Sequence, residues 1–564
     1  MTTSTVPVQS QPVPDARLGE TFPELTPDQL RRLEPHGHRR QLATGHVVGE
    51  PGQPVTHIFV VISGRLHAAN PNPVVGTGDF AIDFTPGMFT GERSVLAGGK
   101  FLGRIAAAEP TEVIEIERDE LLKLIQTDTE LSEILLRAFI LRRVQLIERD
   151  IGDVVILGSQ HCSGMLHLTE FLVRNGHPFT VRDLDSDPES QELLDHFHVS
   201  ANDVPVVICH GSAILRNPTV RELADCLGMN PELDKSQVWD VVIIGAGPAG
   251  LGAAVYAASE GLNVVIVEAN APGGQAGTSS RIENYLGFPN GISGQELAGR
   301  AYDQSLKFGA HVLIARNVVR INCDRKPYRV FLEAEDDPLL TRTIIVGAGV
   351  AYRKLAIENL SQFENAGVYY AATQMERRLC ENEEIAVVGG ANSAGQAAVF
   401  LADKAKRVHM LIRGDGLSKT MSRYLISRIE AHPKIELHTH TEVVALEGNG
   451  HLERVSWRER DGGVQSQPVR HVFTMTGAEP STKWLVGCLQ LDAKGFVKTG
   501  SSLSAEDLAA AKWPLRRQPY LLETSLPGVL AVGDIRSGST KRVASAVGEG
   551  SIAVATIHQV LAEF

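Results

Sequence analysis

The stretch Asp240-Val241-Val242-Ile243-Ile244-Gly245-Ala246-Gly247-Pro248-Ala249-Gly250 decides how the chain folds. Val241 to Ile244 is an unbroken apolar, β-branched run, the pattern of a strand buried on both faces of a parallel sheet. Each glycine that follows meets a separate need. Gly245 makes the tight turn, Gly247 lets backbone approach a pyrophosphate, and Gly250 packs helix on strand. Pro248 and Ala249 open that helix, which runs through Ser259. A second strand, Val264 to Val267, ends in Glu268. An acid roughly twenty residues beyond the glycines can bond both ribose hydroxyls, while the phosphates rest on the helix N-terminus. A glycine-rich turn alone is a weak signal; strand, turn, helix, strand and acid in register predict a dinucleotide site.

The pattern recurs further along. Ile385 to Val388 is a second apolar run, followed by Gly389, Gly390, Asn392, Ser393 and Ala394, a helix to Lys404 and a strand from Arg407 to Ile412. This unit ends in Arg413 where an acid would repel a 2′-phosphate; a guanidinium can pair with one bidentately. Lys419 and Arg423 follow. The three cations favour NADPH, with NADH as the alternative; the plainer reading makes them a solvated face.

Four stretches in order resemble the thioredoxin reductases: Gly273-Gly274-Gln275, Glu283-Asn284-Tyr285, Gly287-Phe288-Pro289, and Pro527 to Asp534. The resemblance implies FAD at the first module. Gly274, Gln275 and Asn284 then belong to the flavin site, Asp534 accepts from ribityl hydroxyls, and Gly533 permits close approach. Arg542, Val543 and Ala544 open a helix toward the flavin edge where negative charge collects on reduction. It also implies a chain that leaves the flavin domain near Arg353 and returns near Thr474, with Thr476 to Pro480 as hinge. One departure is chemical. The redox dithiol of that family is replaced by Tyr370-Ala371-Ala372-Thr373-Gln374, with Ala371 and Gln374 in the cysteine places. Thiolate attack on a disulfide needs sulfur. Cys380, just downstream, is either a lone thiol acting through a mixed disulfide or a packed small residue.

Before the flavin module stand two further regions. Glu50-Pro51-Gly52, Phe59 to Gly64 and Phe89 to Glu92 resemble a cyclic-nucleotide-binding β-barrel, with Gly91-Glu92 on the ribose. The arginine that should neutralise the phosphate is absent; Phe101-Leu102 stand there and Arg104 is offset. Phosphate burial without a cation costs several kcal/mol, so a docking or sensory barrel is expected. Gly152 to Met229 alternates strand and helix. Val204-Pro205-Val206 resembles the cis-proline turn of a thioredoxin or glutaredoxin fold, and Cys162 stands where that fold's dithiol begins.

The predicted fold is therefore multidomain α/β: an N-terminal β-barrel, a small thioredoxin-like unit and two Rossmann-like nucleotide-binding domains of three-layer ββα/βαβ type. The divisions are 1–21 (a disordered tail), 22–150, 152–230, 238–352 with 474–564, and 353–473. The chain has 564 residues, 43 % hydrophobic and 21 % charged, which is ordinary for a globular protein. A net charge of −13 disfavours nucleic acid as partner. No apolar run suits a bilayer and no secretory pattern opens the chain, so no membrane association and a cytoplasmic location are expected. The six cysteines show no C-x-x-C spacing, which predicts free thiols and no metal ligand set. The expected activity is FAD-dependent NADPH oxidation with an unassigned acceptor, such as a small electron carrier, quinone or dioxygen. Two alternatives stay open: disulfide reduction through Cys162, Cys380 or a disulfide protein partner, and a flavin-based redox sensor with slow turnover. The resemblance implies a homodimer.

Overall fold

The computed structural model describes residues 19–563 apart from 70–80, 93, 149–153, 159–162, 185–202, 211–212, 280, 323, 365, 373, 450 and 461. The strand Val238–Ile244 lies in a seven-stranded sheet, parallel to Val264–Val267 on one side and Leu339–Val346 on the other. Val241 to Ile243 are fully buried, as an apolar run covered on both faces must be. Gly245 sits at φ +98°, in the left-handed region open to glycine. A Cβ on Gly250 would lie 1.9 Å from the Gly245 carbonyl oxygen, so the helix Pro248–Ser259 can approach its strand only over a bare Cα. The late strand Val529–Ala531 joins the same sheet beside Leu339–Val346, and the final helix, Val543–Ala562, packs on Pro248–Ser259. Residues far apart in sequence thus complete one layer system.

Between them lies an all-parallel five-stranded sheet, ordered Val368–Tyr369, His471–Thr474, Glu384–Val388, Arg407–Leu411, Ile435–His438. A three-stranded antiparallel sheet, Thr441–Glu447, Arg454–Glu459 and Val464–Gln467, adjoins it. The two passages of chain between the large sheets pair with each other, Val350–Tyr352 against Ala478–Pro480.

Ahead of these, two antiparallel sheets enclose an apolar interior of Leu42, Phe59, Leu66, Phe84 and Ile105. The next unit is a four-stranded mixed sheet, Ala213–Arg216, Val206–Cys209, Val154–Gly158, Thr180–Asp183, in which only the last pair is parallel. The Val204–Pro205 peptide is cis, as expected. The molecule is a multidomain α/β protein whose largest apolar cluster runs unbroken from Leu33 and Phe139 through Phe171 and Leu223 to Val241 and Val532.

Two expectations need correction. Cys488 is disulfide-bonded, so the six cysteines are not all thiols, although Cys209, Cys226 and Cys380 are outside any disulfide. The disordered tail expected over 1–21 ends sooner: residues 19–21 are helical, Thr21 is buried and its carbonyl accepts from Arg142 Nε at 2.9 Å. Burying the Arg142 guanidinium among Phe22, Phe84 and Phe89 fastens the chain there. The rest of the tail and Cys162 lie outside the described residues.

Candidate active site

A cleft of about 540 Å³ opens at the C-terminal ends of the parallel strands Val238–Ile244, Val264–Val267 and Val529–Ala531 of the seven-stranded sheet. Gly245, Gly247, Pro248, Ala249, Glu268, Gly274, Gln275, Gly533, Asp534, Arg542 and Val543 line it, from five separate stretches of chain. Neither helix that opens on it, Pro248–Ser259 or Val543–Ala562, has a side-chain cap. Their first-turn N–H groups are therefore left for a ligand, and the positive ends of two dipoles meet there. A Cβ on Gly247 would come no nearer than 4.0 Å to any other atom, leaving room above the backbone.

Glu268 stands at its strand end as the spacing requires. Its Oε2 accepts from Ala246 N–H at 2.7 Å and its Oε1 from Asn270 N–H at 2.9 Å. Burial pushes its carboxyl up from the ordinary value, against those bonds. Asp534 is also raised by burial, with Lys541 opposing; the Lys541 ammonium donates to the Asp534 carbonyl. Gly533 N–H donates to Glu549, which is itself paired with Arg536 at 2.5 Å. The Gln275 amide donates to the Val350 carbonyl and so fastens the glycine loop to the interdomain strand. Acid, glycines and uncapped N–H groups fit a flavin dinucleotide.

A second pocket, of about 770 Å³, lies over the five-stranded sheet. Gly389, Gly390, Arg413 and Lys419 line it, together with Arg353, Lys354 and Arg458. Lys419 is paired with Asp415 at 3.1 Å. Met475 lines both spaces, while Ser393 and Gln396, from the helix Asn392–Ala402, face the flavin cleft. The two sites thus adjoin.

Several expected residues are not brought to these linings. Asn284 is exposed and does not line the cleft. Arg423 is exposed at the start of the helix Arg423–Glu430 and does not line the second pocket. Asn392 spends its Oδ1 on Ser422 N–H at 2.8 Å, Ala394 is buried in the core, and Ala544 follows the lining residue Val543 without lining the cleft itself.

Other residues appear only in three dimensions. Arg174, from the helix Ser163–Arg174, donates to the Gly274 carbonyl at 3.0 Å and lines the flavin cleft with Glu170. Tyr352 and Tyr370 line it as a stacked pair, centroids 6.2 Å apart, and Tyr370 Oη donates to Glu364 at 2.6 Å. Ala371 also faces the cleft, and no cysteine is among the described residues that line it. Cys380 is fully buried, and burial pushes its thiol far above the ordinary range.

In the barrel, Glu92 is already engaged. Its Oε1 accepts from Ser94 N–H at 3.0 Å and its Oε2 pairs with Arg143 at 3.3 Å. Arg104 is half-exposed, paired with Glu50 at 3.3 Å.

A flavin-type cleft adjoining a nicotinamide-type pocket defines a two-nucleotide oxidoreductase. Residues 239–550 match the family described as pyridine nucleotide-disulphide oxidoreductase, and residues 39–128 match the cyclic nucleotide-binding domain. Thioredoxin reductase of Ureaplasma parvum is 33% identical over 321 residues, covering 56% of this chain and 95% of that protein. Thioredoxin reductase 1 of Saccharomyces cerevisiae is 31% identical over 326 residues, with coverage of 56% and 95%. The solved thioredoxin reductase of Lactococcus lactis superposes with a TM-score of 0.51 at 27% identity, covering 58% of this chain and all of that one. The chain belongs to the pyridine nucleotide-disulphide oxidoreductase family. It is a thioredoxin-reductase-like, FAD-dependent oxidoreductase, and FAD and NADPH are the cofactors of its relatives' type.

Proposed function

We propose that this chain oxidises NADPH at the flavin cleft and delivers the electrons to an acceptor that needs no dithiol of its own. The carrying observation is the cleft lining, where Ala371 stands and no described cysteine does. FAD, when bound, supplies a two-electron relay between nicotinamide and acceptor. The chain's part is to hold it. The uncapped helix ends and Glu268 take the pyrophosphate and ribose, Asp534 the ribityl chain, and the Val543 helix end the electron-rich edge. The buried Cys380 offers no thiolate for exchange.

NADPH is favoured over NADH because Arg413 closes its strand where an acid would repel a 2′-phosphate. Arg353, Lys354 and Arg458 add positive charge to the same pocket. The divisions 22–150, 152–230, 238–352 with 474–564, and 353–473 are retained as a reading of the modules. The second is taken as thioredoxin-like on its sheet order and serves docking, with Arg174 as its touch on the flavin cradle. The barrel is read as a docking module without a cyclic nucleotide, since Glu92 is held by Arg143. Calorimetry with cyclic AMP and cyclic GMP should give no saturable heat.

A small electron carrier, quinone or dioxygen is the expected acceptor class. A homodimer is proposed on the exposed apolar stripe Ile140, Val144, Ile147 of the helix Thr129–Glu148. Among the described residues no helix is long and apolar enough to cross a membrane, and a cytoplasmic location is part of the proposal. The functional test is steady-state NADPH oxidation with an acceptor panel. Turnover with a non-disulfide acceptor supports the reading; turnover confined to oxidised thioredoxin would overturn it.

A further inference from the structure

On the far side of the nicotinamide-type sheet, two imidazoles and a carboxylate converge. His409 lies in Arg407–Leu411, and Glu436 and His438 lie in the neighbouring parallel strand Ile435–His438. The register pairs His409 with Glu436 and Leu411 with His438, so all three side chains fall on one face. His409 Nδ1 is 3.2 Å from His438 Nε2. Glu436 Oε1 is 3.6 Å from His438 Nε2, and its Oε2 is 3.9 Å from His409 Nδ1. Donors bound at zinc distances at the corners of a tetrahedron lie about 3.3 Å apart.

The outer nitrogens decide between a metal and a simple imidazole pair. His409 Nε2 faces Glu384 Oε2 at 3.5 Å, and His438 Nδ1 faces Glu459 Oε1 at 3.7 Å. A carboxylate behind each ring draws the ring proton outward, as behind metal-bound histidines. Two lone pairs and a carboxylate then point inward at one spot, which repels itself without a cation. The neighbouring cations do not fill that spot. Lys406 takes the other oxygen of Glu384 at 2.9 Å, and Arg407 takes Glu436 Oε2 at 3.0 Å, leaving Oε1. Trp457 packs against both rings, with centroids 5.3 and 5.8 Å away, and forms an apolar floor. His409 and His438 are only 8% and 12% exposed, whereas Glu436 is 47% exposed, which gives a path for an ion and room for a water ligand.

We propose that His409, Glu436 and His438 bind one zinc-class divalent transition-metal ion, with water completing a tetrahedron. The ion would join the edge strand Ile435–His438 to its neighbour and, through Glu459, to the antiparallel sheet beside them. No C-x-x-C or H-x-x-H spacing announces it, because its ligands come from two strands.

The full-length flavoprotein, freed of metal with a chelator, is titrated with Co²⁺ and then Zn²⁺. The expected result is one saturable Co²⁺ site per chain with tetrahedral ligand-field absorption, displaced by Zn²⁺. His438→Asn and, separately, Glu436→Gln should weaken it by about tenfold or more. Glu436→Gln changes an exposed group, so unaltered circular dichroism and FAD content in that variant keep the comparison sound. Absence of saturable binding, as for an imidazole pair that only shares a proton, would overturn the proposal. So would binding of equal strength in both variants.

Discussion

At position 250 even a methyl group would sit 1.9 Å from a carbonyl oxygen, inside any real contact. That residue therefore sets the height of the flavin-side helix above its strand. Gly250→Val should yield protein without bound flavin; a purified variant with stoichiometric FAD absorbance would contradict the assignment. Arg413 acts by charge rather than fit. Loss of a charge-assisted bond to phosphate is worth about 1.5–3 kcal/mol, so Arg413→Ala should raise KM for NADPH by about tenfold or more. KM for NADH should not change, and an equal rise with both nucleotides would remove Arg413 from 2′-phosphate recognition. Cys380 is buried with its thiol pushed up, so Cys380→Ala should leave NADPH turnover unchanged with every acceptor. A variant that lost turnover while keeping its fold would restore the thiol reading.

Among the elements, the strand His471–Thr474 carries a pH sensitivity of its own. Burial lowers the His471 imidazole from the ordinary 6.5 to about 4, with Arg470 adding to the effect, and its ring stacks on Tyr369 at 5.8 Å. The folded state therefore holds the ring neutral. The unfolded chain binds the extra proton between pH 6.5 and 4, so stability is full above the unfolded value and falls with pH across that window. The penalty is at most about 3 kcal/mol. Urea midpoints of wild type and His471→Gln should converge as pH falls toward 4; parallel curves would show that another group governs the acid limb.

The same elements show what a sequence discloses. Both strand–glycine–helix units stand where their spacing places them, because turn, strand burial and helix start are local and each fixes a residue type. Only a motif points to Asn284 and only charge to Arg423, and both are exposed to solvent. Arg353, Lys354 and Arg458 reach the second pocket from strands and links far from its glycine turn, and nothing in their local context marks them. His409 and His438 are likewise unremarkable until the register sets them side by side.

Across the whole molecule, the modules are joined by specific polar contacts as well as by the shared apolar cluster. Arg143 of the barrel side donates to the Gly176 carbonyl at 2.8 Å, Gln295 reaches the Val173 carbonyl at 2.6 Å, and Arg316 pairs with Asp225 at 2.5 Å. Arg174 extends this network to the flavin loop, 100 residues away in sequence, a contact no periodicity could reveal. Removing a partly buried guanidinium that bonds the Gly274 carbonyl should loosen the loop, so Arg174→Ala should raise the Kd for FAD severalfold, read by flavin release in dialysis. An unchanged Kd would show that the second module does not support the cradle.

Electron entry at the flavin without a local dithiol exit is read in an anaerobic stopped-flow experiment. The FAD-loaded protein is reduced with one equivalent of NADPH and mixed separately with oxidised thioredoxin, a quinone, a one-electron carrier and dioxygen. The expected result is bleaching of the flavin by NADPH, then reoxidation by a non-disulfide acceptor faster than by thioredoxin. A flavin untouched by NADPH, or one reoxidised at turnover rate by thioredoxin alone, would contradict it.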